Sequence, residues 1–160
     1  MSAPTLYTDG GLVQTAPTLQ NRNDTGSEGE NLCIASNTYT FTGTEVAGAV
    51  IGIIQLPVGC VVKPHLCRIK GNGPAVTATG SLGDSGANSS ATQYGSAVAV
   101  SSATLDITPT GGAALPKGWD LQADATLGTG MAWITFTLAT LSTPTAGKIL
   151  VFDIVFKQSV

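Results

Sequence analysis

Charge is what this sequence has least of. Lysine, arginine, aspartate and glutamate make up 11% of its 160 residues, against about a quarter in an ordinary globular domain. Basic residues are the scarcer kind, seven against ten acidic ones, giving a net charge of −3 and a pI near 4.8. Nucleic-acid binding draws on many basic side chains that displace counterions from phosphates, so this balance speaks against it. Anionic membrane surfaces are disfavoured on the same ground. Long apolar runs are also missing. The longest, Ala47 to Leu56, is too short and too interrupted by glycine to span a bilayer. No N-terminal stretch joins basic residues to an apolar run, so synthesis and folding in a cytoplasm are expected.

Histidine occurs once, at His65, and the three cysteines, Cys33, Cys60 and Cys67, form an odd set without a CxxC pair. A tetrahedral metal site wants four thiolate or imidazole ligands, which this set does not supply. At 160 residues the chain buries enough surface to fold without cross-links. Free, buried thiols are therefore the expectation, with a Cys60–Cys67 bridge across a bend at Pro64 as the alternative.

With so little charge, the polar surface must be built from Ser, Thr, Asn and Gly. Such a surface solvates well yet repels little, which suits dense packing against other proteins. Helical periodicity is absent from every window of twelve residues or more, and the many Thr, Val and Gly residues disfavour helices as well. The remaining pattern is one of short strands. Tyr39 and Phe41 share one face of a segment from Leu32 to Phe41, with threonines on the other. Val50 to Leu56 is a continuous apolar run ended by the turn Pro57-Val58-Gly59. Cys60–Lys63 and Leu66–Lys70 flank Pro64, which marks an edge or bulge. Ala75 to Leu82 follows, and Leu105-Asp106-Ile107 is a short candidate in a region of small side chains. Ala132, Ile134, Phe136 and Leu138 alternate with Met131, Trp133, Thr135 and Thr137, and Leu150, Phe152, Ile154 and Phe156 repeat the pattern. The loop Ser142 to Gly147 predicts that these last two strands pair as an antiparallel hairpin at the centre of the core.

About eight strands separated by turns define an all-β fold, an antiparallel β-sandwich of jelly-roll type. The domain covers residues 32–160. Residues 1–31 read as an extended N-terminal arm, rich in Thr, Gly, Asn and Pro, whose apolar residues Leu6, Tyr7, Leu12, Val13 and Leu19 lack helical spacing. Either the arm orders on a partner or it is a frayed terminus.

Few residues invite a chemical reading. Gly83-Asp84-Ser85-Gly86 resembles the nucleophile segment of chymotrypsin-like serine proteases. Yet Ala87 stands where that family needs glycine, and His65 lies only twenty residues upstream of Ser85 in a strand-like segment. A turn built on Gly and Asp is the expectation. Asp120 and Asp124 share a face if Trp119 to Leu127 is extended, but no dense oxygen-ligand loop surrounds them, so they read as solvated acids rather than a calcium site. Trp119 and Trp133 are the only tryptophans. They suit packing, with a sugar-stacking platform as the rival reading. No catalytic, cofactor-binding or metal-binding residue is assigned.

The run Ile51-Gly52-Ile53-Ile54-Gln55-Leu56-Pro57-Val58-Gly59-Cys60-Val61-Val62 resembles a segment common in small virion proteins of tailed bacteriophages. There an apolar strand ends in Leu-Pro-x-Gly, and a later segment is similar to Ala78-Thr79-Gly80-Ser81-Leu82-Gly83-Asp84-Ser85-Gly86. Those chains also close with two oily strands. The resemblance covers roughly Cys33 to the C-terminus. It implies a β-sandwich, no catalytic residues and no cofactor, and a capsid decoration (cement) protein on the virion surface that bridges major capsid protein subunits. It further implies self-association as a homodimer or homotrimer, with a receptor- or carbohydrate-binding module of a tail or fibre as the alternative.

Overall fold

The computed structural model describes residues 6–7, 20–22, 32–87, 90–102, 104–110, 119–121, 125, 127 and 130–157, with only the backbone of 6–7, 20–22 and 119–120. Twelve strands and one short 3-10 turn are found among them. In chain order the first strands are β1 (Leu6–Tyr7), β2 (Gln20–Arg22), β3 (Leu32–Thr40), β4 (Val50–Pro57) and β5 (Val61–Val62). The turn Pro64–Leu66 leads into β6 (Arg68–Gly71), β7 (Ala75–Asp84), β8 (Gly95–Ala99) and β9 (Leu105–Ile107). The series ends with β10 (Trp119–Asp120), β11 (Met131–Pro144) and β12 (Ile149–Lys157).

The strands form two sheets, as expected for an all-β sandwich. One has the order β1-β4-β11-β7-β8; the other runs β10-β5-β12-β3-β2, with β6 also beside β12 and β9 beyond β6. Every pairing is antiparallel except the short contact of Leu6 and Tyr7 with Ile51 and Gly52. Apart from this contact and the pairing of Gln20–Arg22 with β3, residues 1–31 lie outside the described residues.

One expectation is overturned. The two oily strands near the C-terminus do not pair. β11 joins β4 and β7 in the first sheet, while β12 joins β3, β5 and β6 in the second. The turn between them, with Gly147 at φ +78°, is an arch from sheet to sheet. The physical reason is that each strand carries one face of large apolar side chains. Side by side, the two faces would still need covering; on opposing sheets they cover each other. Phe136 and Phe152 meet in this way, with ring centroids 5.2 Å apart. Ile51, Leu56, Ile134, Leu138, Leu150 and Ile154 are fully buried around them.

The remaining segments follow their local chemistry. Tyr39 and Phe41 are buried edge to face, 5.1 Å apart. Pro64 opens the 3-10 turn rather than a bulge, because its missing N–H costs nothing at a first helical position. Of the strand-like reading of Trp119 to Leu127, the described residues give β10 at Trp119–Asp120, with Leu121, Ala125 and Leu127 outside any strand; 122–124 and 126 lie outside the described residues. β8, built of Gly, Ser, Ala and Val, had no periodic signal strong enough to mark it. A bulge lies in β11 between Leu138 and Thr140, against β7, and another in β4 at Ile53, opposite Ile134/Thr135 of β11.

Candidate functional site

Charge divides sharply between the two sheets. β4, β7, β8 and β11 carry a single charged side chain, Asp84, and it is fully buried. Asp84 accepts hydrogen bonds from the Gly86 N–H at 2.8 Å and from the Tyr94 hydroxyl at 2.5 Å. Burial first, then the Asp84 charge and hydrogen bond, push the Tyr94 phenol far above its ordinary value. Outward on the first sheet, hydroxyl-bearing residues stand opposite one another in register across β11 and β7: Thr137 and Ser81, Thr140 and Thr79, Ser142 and Thr77. The Thr79 and Thr140 hydroxyls are 2.8 Å apart. Near its other end this face is covered by the chain itself. A Cβ on Gly83 would lie 2.3 Å from the Ser90 carbonyl oxygen, and Trp133 and Thr135 are buried although they point outward.

The second sheet bears the charge. On β6, Arg68 pairs with Asp106 of β9 at 2.8 Å and Lys70 with Asp153 of β12 at 2.6 Å. Asp153 also accepts from the Ser36 hydroxyl of β3 at 2.6 Å, so one polar lattice ties four strands together. Burial pushes the Asp153 carboxyl up, but the hydrogen bonds from Lys70 and Ser36 hold it below the usual carboxylate range. The Lys70 ammonium is raised by the same bond.

The residues singled out by sequence do not assemble into a catalytic centre. Ser85 is buried beside β11, where its hydroxyl accepts from the Trp133 N–H at 3.0 Å. His65 is exposed on the turn that packs against β12, in the other sheet. The turn expected at Gly83 to Gly86 begins later than its residues suggested: Gly83 and Asp84 are still strand, paired with Thr135 and Ile134 of β11, and the chain leaves β7 only at Ser85, where Asp84 accepts from the N–H two residues on. Asp120 lies on β10 opposite Val61, and Asp124 lies outside the described residues. No cluster of three His, Cys, Asp or Glu side chains occurs among the described residues. Trp133 is only 4% exposed and has no face to offer a sugar; the Trp119 side chain lies outside the described residues.

Cys33, Cys60 and Cys67 are free and buried. Cys67 Sγ accepts from the Val155 N–H at 3.3 Å and lies 3.4 Å from the Lys63 carbonyl oxygen, held by the backbone rather than by Cys60.

Glu45 went unnoticed in the sequence. Its buried carboxylate accepts from the Tyr39 hydroxyl at 2.8 Å, the Thr42 N–H at 2.6 Å, the Thr42 hydroxyl at 2.8 Å and the Gly43 N–H at 3.0 Å. Burial pushes this carboxyl up, but the hydrogen bonds from Thr42 and Tyr39 outweigh it and hold the group below its usual value. The signal was present as Thr42-x-x-Glu45, the spacing at which a carboxylate reaches back to the N–H of a Ser or Thr. Here the pattern fixes a loop instead of starting a helix.

No family model and no curated protein matches the chain. The fold is similar to that of a chain in the Cyanophage Pam1 capsid asymmetric unit. That chain is 18% identical, with a TM-score of 0.57 over 92% of this chain and 99% of the other. The fold is similar too to a chain in the capsid of Ralstonia phage GP4, 16% identical, with a TM-score of 0.63 over 96% of this chain and 97% of that one. At such identities the likeness is one of fold.

Proposed function

We propose that this protein is a non-enzymatic structural component of a tailed-phage virion. In this reading it binds the outer surface of the capsid and stabilises it by bridging major capsid protein subunits, as a decoration or cement protein. The observation that carries the proposal is the likeness to chains from two phage capsids, which takes in 99% and 97% of those chains and so matches them nearly end to end. The uncharged first sheet adds support, because close packing of many copies at one surface is hindered least where no like charges meet.

The mechanism follows from repetition. A stiff β domain that touches two subunits adds a contact at every equivalent seam of the shell. Each contact is weak, yet coupling of about 1–3 kcal/mol per site becomes large when neighbouring sites are tied together. Its partners are the major capsid protein and further copies of itself, as a homodimer or homotrimer, with synthesis in the host cytoplasm.

Quantitative mass spectrometry of purified particles from the source phage tests the reading. A copy number equal to that of the major capsid protein, or a simple fraction of it, is expected. A handful of copies per particle would assign the protein to the tail, and its absence would refute a virion role.

A further inference from the structure

Three loops meet at one end of the sandwich: residues 41–49 between β3 and β4, 72–74 between β6 and β7, and 145–148 between β11 and β12. The Gly147 N–H donates to the Phe41 carbonyl and the Thr145 N–H to the Pro74 carbonyl, both at 2.8 Å. A Cβ on Gly43 would lie 3.3 Å from the Ala146 nitrogen. The loops therefore form a single tip.

Its backbone is fixed from within. The Glu45 carboxylate gathers the four hydrogen bonds described above, and the Gly48 N–H donates to the Leu138 carbonyl at 2.6 Å. Gly43, Gly48 and Gly147 take left-handed angles of φ +88°, +87° and +78°. Thr143 does the same at +49°, a conformation costly for a β-branched residue that persists only where its surroundings enforce it.

What this stiff tip presents is uncharged, with two exposed valines among small and hydroxyl side chains. Val76 is 76% exposed and Val46 is 66% exposed, the two highest values among the exposed large hydrophobic residues described. Val46 lies in the 41–49 loop and Val76 is the second residue of β7, just past the 72–74 loop; Thr44, Ala47, Thr145 and Ala146 are exposed in the loops. Charge is confined to Glu45, which is turned inward, and to Lys148, which is half-buried. One exposed valine is unremarkable on any surface. Two at one end are a different matter, Val46 in a loop held by a buried carboxylate and Val76 on β7 where it pairs with β11, because a pre-ordered contact element loses little entropy on binding.

We infer that this tip is a docking element that seats Val46 and Val76 in an uncharged, apolar-lined recess of a partner protein. The inference rests on the proposed function, under which the recess lies at a seam between major capsid protein subunits. The occupant carries no cation at the contact, because a cation buried against this tip would lose its hydration and find no exposed carboxylate, Glu45 being turned inward.

The test compares the full chain with V46D/V76D and with V58D/L66D, whose residues are exposed at the opposite end of the sandwich. Binding is measured by co-sedimentation with shells assembled from the source phage's major capsid protein alone, at low and high salt. The wild type should bind with little dependence on salt. V46D/V76D should bind at least about 100-fold more weakly, the scale of forcing charges into a dry contact, and V58D/L66D should bind as the wild type does. Circular dichroism checks that each variant is folded; if V46D/V76D is not, V46S/V76S takes its place. Unchanged binding by the tip variant overturns the inference while the function stands, as does loss of binding by V58D/L66D alone. A tip variant that alters only self-association, read by light scattering, makes the occupant a second copy and overturns the assignment to the shell. A wild type that does not bind shells removes both readings.

Discussion

The rings of Phe136 and Phe152 touch across the sandwich, 5.2 Å apart and inclined by 50°, although their strands follow one another in the chain. They are the point where the first sheet's inner face is joined to the second's. Gly80 lies beneath this contact, since a Cβ there would come within 2.2 Å of the Phe136 ring.

Core packing around this pair should be unforgiving. Phe136→Ala and Phe152→Ala are each expected to cost about 3–5 kcal/mol in urea unfolding, from lost burial plus the cavity left behind. Gly80→Ala should cost about 1–3 kcal/mol by overpacking. Combined with Phe136→Leu it should cost less than the two changes summed, because the smaller side chain gives the new methyl room. Additive costs would mean that the ring and the glycine do not share one space.

Ser85 and His65 should behave as unrelated residues. Ser85→Ala removes the acceptor of the Trp133 N–H and should lower stability by about 1 kcal/mol. His65→Ala, on an exposed turn, should change it by less than about 0.5 kcal/mol. A hydrolytic activity abolished by both substitutions would contradict this separation.

Acid should loosen the tip. The folded protein holds the Glu45 carboxyl below its ordinary value, so in acid the unfolded chain binds the proton first. The stability Glu45 contributes is then complete above about pH 4, the ordinary carboxylate value, and is lost as pH falls through the depressed folded value. Glu45→Gln should lower stability by about 1–3 kcal/mol at neutral pH and flatten the acid limb of the stability curve. A limb of unchanged steepness would assign the acid sensitivity to other carboxylates, Asp153 first among them.

The thiols should be silent until the fold opens. Burial pushes Cys67 up to about 12 and Cys60 up to about 11, the latter with a smaller contribution from Cys33. At pH 8 neither holds appreciable thiolate, the reactive form. A disulfide reagent should therefore label neither in buffer and all three cysteines in guanidinium. Prompt labelling of the native protein would show that one of them is open to solvent.

The sheets were more legible in the sequence than their arrangement. Alternation along β11 and β12 fixed which side chains face inward, and Phe136 and Phe152 are buried as that pattern requires. The same alternation is silent about which strand lies alongside, so a hairpin and an arch share one signature. A two-residue register and an oily face suit both. Short strands of small residues, such as β8, were hidden because Gly, Ser and Ala give no contrast between faces. The neutral sheet was legible in principle from the missing charges of β4, β7, β8 and β11. The Glu45 hub was not, because its meaning depends on Tyr39 reaching it from a strand edge.

The position of β12 also sets an order in time. It lies between β3 on one side and β5 and β6 on the other, yet the ribosome makes it after all three. The second sheet cannot close until that strand arrives, so its earlier members must wait with their apolar faces unmet. A nascent chain interrupted before Ile149 would leave those edges free to pair with a neighbour's until β12 fills the gap between them.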